Sequence, residues 1–131
     1  MKALIIDDYQ EHVDTLVQTL IQYGIDARGA ATAREAFVIL ETFEPDLIVC
    51  DGLLADCRAW HFGHQYLQEY IYGRNTHRPY LVALTGFGST LQRRLCEECG
   101  FNEYVTKPIE LSTLLGWIQK ARELVEGNSP S

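Results

Sequence analysis

No stretch of this sequence stays apolar for long. The longest apolar runs are four or five residues, as in Ala3-Leu4-Ile5-Ile6 and Tyr80-Leu81-Val82-Ala83-Leu84, far short of the ~20 residues that cross a bilayer as a helix. Met1-Lys2-Ala3 runs straight into the first of them, with aspartates behind it. A secretory signal would need a longer apolar core and a small-residue cleavage site. We therefore expect a cytoplasmic chain with no membrane partner. Positive charge is scarce as well: 11 Lys and Arg face 18 Asp and Glu, for a net charge of −7. Direct binding to nucleic acid, which rests on cationic contacts with phosphates, is not expected. That balance suits a protein that gathers carboxylates around a metal. The four cysteines do not imply disulfides in a chain of cytosolic character. Repeats, low-complexity tracts and internal linkers are absent. Only 127–131 reads as a flexible tail or the start of a linker, which leaves 1–126 as one domain.

What is there is an alternation of strand and helix, five times over. Ala3 to Ile6 is a continuous apolar run, as a strand buried on both faces requires. Val13, Leu16, Val17, Leu20 and Ile21 then fall at helical spacing, and Gly24 ends the helix. A weak second strand covers about 25–30. Thr32 with Glu35 forms a capping-box pattern ahead of Ala33, Ala36, Phe37, Leu40 and Phe43, and Pro45 stops that helix. Leu47 to Cys50 is the third strand, a loop and helix fill about 52–75, and Tyr80 to Leu84 is the fourth strand. A helix over about 89–99 closes at Gly100. Phe101 to Val105 is a short strand, and Leu111, Leu114, Leu115, Ile118, Ala121 and Val125 mark the last helix. Such alternation predicts an α/β fold, a parallel sheet with helices on both faces. Ligands of such sheets bind outside the carboxyl ends of the strands.

The polar residues at those ends are few and specific. Asp7 and Asp8 follow the first strand, Asp51 the third, Thr85 the fourth, and Lys107 with Pro108 the fifth. Three carboxylates brought to one edge raise each other's pKa unless a cation joins them. A hard divalent ion with oxygen ligands is the natural answer, and magnesium tolerates a small number of carboxylates plus phosphate oxygens. A carboxylate can also act as a nucleophile toward phosphorus, helped mainly by positioning and charge neutralisation.

With Asp7-Asp8, Asp51, Ala83-Leu84-Thr85-Gly86 and Tyr104-Val105-Thr106-Lys107-Pro108 in this order, the chain resembles the receiver domains of two-component signalling. The likeness spans residues 2 to about 126. It implies a single flavodoxin-like (βα)5 domain with strand order 2-1-3-4-5. It implies that Asp51 accepts a phosphoryl group from a phosphohistidine, and that Mg2+ is held by Asp8, Asp51 and the Leu53 carbonyl, with Asp7 acting through water. Lys107 would contact the phosphoryl group, and the Asp51 carboxylate before phosphorylation. Thr85 would bond a phosphoryl oxygen, Tyr104 would turn inward with it, and the Lys107-Pro108 bond would be cis. Implied partners are a sensor histidine kinase or histidine phosphotransfer protein and a downstream effector. The fourth helix, fifth strand and fifth helix would form the face that meets a partner or a second copy in a homodimer. Such a protein is a switch that catalyses only its own phosphorylation and dephosphorylation. The chain could also be the receiver piece of a hybrid kinase, or a degenerate receiver that only binds a partner.

Departures from that family centre on the segment after Asp51. Ala55 stands where proline is common and Ala59 where glycine is, and the interval from Asp51 to Thr85 is longer by about one helical turn. Two other motifs have plainer readings. Cys96-Glu97-Glu98-Cys99 sits at a helix end beside two acids, which disfavours a redox thiol. Cys57, His61 and His64 lack a fourth zinc ligand, and Tyr66, Tyr70 and Tyr72 suit packing or an interface. Leu53 and Phe87 are expected to flank the phosphoryl group, and neither can orient an attacking water by hydrogen bonding. Self-dephosphorylation should therefore be slow. Following the phosphorylated protein by mass spectrometry checks this, and a half-life of a few seconds would refute it.

Overall fold

The computed structural model describes residues 1–86 and 88–127. Along the chain run β1 (Lys2–Ile6), α1 (Gln10–Gln22), β2 (Asp26–Ala30), α2 (Ala33–Leu40), β3 (Leu47–Asp51), α3 (Ala59–Tyr66), β4 (Tyr80–Thr85), α4 (Thr90–Glu98), β5 (Glu103–Thr106) and α5 (Leu111–Gly127). The five strands form one sheet in the order β2-β1-β3-β4-β5, and every pairing is parallel. This is the α/β arrangement, with the strand order, expected above. Among the described residues no helix is long and apolar enough to cross a membrane.

Successive side chains on a strand point to opposite faces, and both faces here are apolar. Leu4, Ile6, Ile48, Cys50, Leu81 and Ala83 join a core completed by Ala36, Leu40, Phe62, Tyr66 and Cys96 from α2, α3 and α4. Ala3, Ile5, Leu47, Val49, Val82 and Leu84 join a second core with Val13 and Leu20 of α1 and Leu114, Trp117 and Ile118 of α5. That two-sided burial is why the central strands read as unbroken apolar runs rather than as alternation.

Local signals set most helix ends. The Thr32 hydroxyl accepts from the Glu35 N–H at 3.1 Å. The Glu35 carboxylate reaches the Ala31 N–H at 2.8 Å, one residue before the cap. α2 is shorter than expected, ending at Leu40 rather than running to Pro45. Phe43 still lies buried in the following loop, with the Arg28 guanidinium 4.3 Å from its ring centre. β5 begins at Glu103, because Asn102 instead clamps Leu81. Its side-chain oxygen accepts from the Leu81 N–H at 2.8 Å, and its own N–H donates to the Leu81 carbonyl at 2.7 Å.

The extra turn between Asp51 and Thr85 has a clear destination. α3 continues without a break into a π-helical segment, Leu67–Tyr72, the wider form that absorbs added residues within a helix. Beyond it, Arg74 pairs with Glu41 at 3.0 Å, and His77 lies between Glu44 at 2.9 Å and Asp46 at 2.8 Å. The surplus length is thus tied down at the amino-terminal end of the sheet. α5 includes Gly127, and the rest of the expected tail, 128–131, lies outside the described residues.

β2 carries Gly29 where α1 crosses it, and a Cβ there would sit 2.2 Å from Val13 Cγ1. The helix can rest this close only because that side chain is absent. Gly29→Ala is expected to destabilise the fold by about 1–3 kcal/mol, the usual cost of overpacking. The same change made in Val13→Ala should cost clearly less, since the clash partner is gone. Urea unfolding of the four proteins checks this, and additive effects would refute the clash.

Candidate functional site

The backbone bonds of the sheet continue one residue past β1, β3 and β5 and so fix the rim that carries the functional side chains. The Asp7 N–H donates to the Ala30 carbonyl at 3.0 Å, the Gly52 N–H to the Leu84 carbonyl at 2.8 Å, and the Lys107 N–H to the Thr85 carbonyl at 2.6 Å. Asp51 and Thr85 are the last residues of β3 and β4. The Lys107-Pro108 bond is cis. The rim expected from the sequence therefore exists as a surface fixed by backbone bonds.

On that rim one oxygen from each of Asp7, Asp8 and Asp51 lies within 4.8 Å of the others. Among the described residues this is the one cluster of three or more candidate metal ligands. Asp7 is the deepest, at 3% exposure, whereas Asp8 is exposed and Asp51 is partly buried. One Asp7 oxygen accepts from the Tyr9 N–H at 2.9 Å. The other accepts from Lys107 Nζ at 3.1 Å and lies 3.4 Å from His12 Nδ1. Lys107 Nζ is 3.6 Å from Asp51 Oδ2. The lysine thus sits between two carboxylates, near the Asp51 carboxylate that the likeness implied and closer still to Asp7. The remaining Asp51 oxygen faces the Leu53 N–H at 3.5 Å.

The two inner carboxylates are pushed in opposite directions. Burial alone would raise Asp7, but the Tyr9 N–H and then Lys107 hold it below its ordinary value. Burial, followed by the charge of Asp7, pushes Asp51 up to about 6 against the pull of Lys107. Asp51 is therefore a carboxylate whose charge is poorly compensated by the protein. An all-oxygen, triply acidic donor set fits a hard divalent cation, and Asp7, Asp8 and Asp51 are the residues able to hold one.

Thr85 is buried beside the loop that leaves β3. A Cβ on Gly52 would stand 3.1 Å from Thr85 Cβ and 3.2 Å from its hydroxyl oxygen, so a bare backbone here lets Thr85 close on the Asp51 side. Leu53 is 58% exposed and pairs with Arg58 across a small closed loop. Phe87, the other expected flank, lies outside the described residues. Tyr104 is buried in the α2–α4 face, with the Arg93 guanidinium 5.3 Å from its ring centre.

Residues weighed for other chemistry stand elsewhere. Cys96 is buried and pushed up to about 11, by burial first and then by Cys99 and Glu97. His61 and His64 lie exposed on α3. Tyr66 and Tyr70 stack with ring centres 5.4 Å apart. Two rim neighbours escaped the sequence reading. His12 reaches Asp7 from the first turn of α1, and its position five after Asp7 was the one available hint. Asp56 binds the start of α2, and nothing local marks it.

Comparison with known proteins agrees with this geometry. The family model for the response regulator receiver domain matches residues 3–119. The response regulator protein PilR of Pseudomonas aeruginosa is 29% identical over 94% of this chain, which spans 26% of that protein's length. Among solved structures, a response regulator receiver domain protein (CheY-like) from Methanospirillum hungatei JF-1 superposes with a TM-score of 0.86 at 23% identity, covering 97% of this chain and 98% of the other. A response regulator from Burkholderia pseudomallei, solved with a phosphorylated aspartic acid, calcium ion and citrate, gives a TM-score of 0.79 at 21% identity, covering 98% and 72%. With the fold, the acidic rim and the family match over nearly its whole length in agreement, the chain belongs to the response regulator receiver domains of two-component signalling.

Proposed function

We propose that the chain is a phospho-accepting switch in which Asp51 takes a phosphoryl group from a phosphohistidine in a Mg2+-dependent reaction. The observation that carries this reading is Lys107 Nζ at 3.1 Å from Asp7 and 3.6 Å from Asp51, at the edge of a three-carboxylate cluster. The phosphorylated aspartic acid and calcium ion of the similar Burkholderia pseudomallei regulator support it. The donor would be a sensor histidine kinase or phosphotransfer protein, and the receiver of the output a downstream effector.

In the reaction an Asp51 oxygen attacks phosphorus, an acyl phosphate bond forms, and the bond from phosphorus to the donor imidazole breaks. The imidazole keeps the electron pair and takes a proton. Asp8, Asp51 and the Leu53 carbonyl would hold Mg2+, with Asp7 acting through water, and the ion would supply neutralisation of phosphoryl charge. Burial and Asp7 disfavour the charge on Asp51, so a cation beside it would favour the ionised carboxylate that attacks phosphorus. Lys107 then moves its weight from Asp7 to the new phosphoryl oxygens, and the Thr85 hydroxyl donates to another. Tyr104, on the strand that leads to Lys107, follows the Thr85 side of the sheet. Phosphorylation thereby shifts a population between two arrangements instead of creating a new one.

Incubating the protein with magnesium and a small phosphodonor should add the mass of one phosphate, and Asp51→Asn should abolish the gain. A wild type that never gains mass would leave a receiver that only binds a partner.

The Asp51 shift gives a second expectation. Its pKa rises from 3.8 when unfolded to about 6 when folded. Its contribution to stability is therefore fully present below pH 3.8 and is lost as pH climbs through 6. Without divalent cations, Asp51→Asn should be more stable than the wild type at pH 7. The gap should be on the order of 1 kcal/mol once solvent screening is allowed for. It should close as pH falls toward 4. Urea titrations at each pH measure the gap, and one that does not vary with pH would contradict the assignment.

A further inference from the structure

The loop that leaves Asp51, residues 52–58, contains no proline, yet it is well ordered by its own bonds. The Leu54 N–H donates to the Cys57 carbonyl at 2.8 Å, and the Ala59 N–H to the Gly52 carbonyl at 3.0 Å. Leu53 pairs with Arg58 across it. These contacts shape the loop internally. A different kind of tether comes from Asp56. One of its oxygens accepts from the Ala33 N–H at 3.0 Å and the other from the Arg34 N–H at 3.0 Å. The carboxylate thus binds the start of α2 with both arms.

Helix starts leave N–H groups without partners and carry partial positive charge. A carboxylate there makes strong, charge-assisted bonds, and two of them fix its plane. α2 already has a local cap, the Thr32 hydroxyl on the Glu35 N–H. The helix is therefore capped twice, once from within and once by a loop more than 20 residues away in sequence. The second cap serves the Ala33 and Arg34 N–H groups, which the Thr32 hydroxyl does not reach. It also gives the loop a post on the neighbouring helix.

We propose that Asp56 is a positioning residue for the phosphoacceptor site. By anchoring the 52–58 loop to the start of α2, it holds the Leu53 carbonyl at a set place beside Asp51. This inference rests on the functional reading above, in which that carbonyl is a magnesium ligand. Outer partners that orient metal ligands commonly change metal affinity by about 10–100-fold when removed.

The test is a calorimetric titration of the full chain with Mg2+, together with amide hydrogen exchange on the metal-free protein. Asp56→Ala should weaken Mg2+ binding about tenfold and speed exchange at the Leu54 and Ala59 amides. Asp56→Asn, which keeps one accepting oxygen, should fall between, and it carries the comparison if the alanine variant does not fold. Thr32→Ala should lower stability while leaving Mg2+ affinity unchanged. Wild-type affinity in both Asp56 variants would overturn the proposal. So would an equal loss in Thr32→Ala, since the effect would then be one of helix stability. A wild type that binds no Mg2+ would instead overturn the functional reading, and this inference with it.

Discussion

Three carboxylates and one ammonium share a rim, and their arrangement is the constraint on which the rest depends. Like charges this close are unfavourable. Lys107 relieves only part of the strain, because it bonds Asp7 more closely than Asp51. The outcome is unequal: Asp7 is held ionised, whereas Asp51 is pushed toward its neutral form. Asp51 is thereby the group with most to gain from a cation or a covalent partner. A receiver with its lysine seated wholly on Asp51 would lack that asymmetry.

The fold exists to keep such an unfavourable cluster in place. Two apolar cores press on the sheet from both sides, and the ladder of backbone bonds runs one residue past β1, β3 and β5. The charged groups therefore sit on backbone that cannot retreat. Length that does not serve the rim is stored far from it. The π-helical turn after α3 and the pairs made by Arg74 and His77 anchor the surplus at the opposite end of the sheet. α3 and its π-helical continuation fill the segment after Asp51, and β3, β4 and β5 pair in continuous register.

Much of this was legible in the chain. The strands β1, β3 and β4 announce themselves as apolar runs, and the Thr32–Glu35 pattern marks the start of α2, because these signals are local. Other ends were misjudged for the same reason. Phe43 keeps the helical spacing but is buried from a loop, where its ring meets Arg28 of a neighbouring strand. Phe101 looks like strand, yet Asn102 spends its hydrogen bonds on Leu81. In both cases a partner distant in sequence outweighed the local preference.

The sequence alone pointed to a parallel sheet whose central strands are buried on both faces, and to the polar residues that would stand at the strand ends. A residue's place just past an apolar run is enough to put it on the rim. Only the tertiary structure decided how those carboxylates share one ammonium. Lys107 and Asp7 are 100 residues apart, and Asp56 meets the start of α2 across 23. The distances, 3.1 Å to Asp7 and 3.6 Å to Asp51, mark which carboxylate the lysine favours. They follow from how strands and helices pack, and no pattern along the chain encodes them.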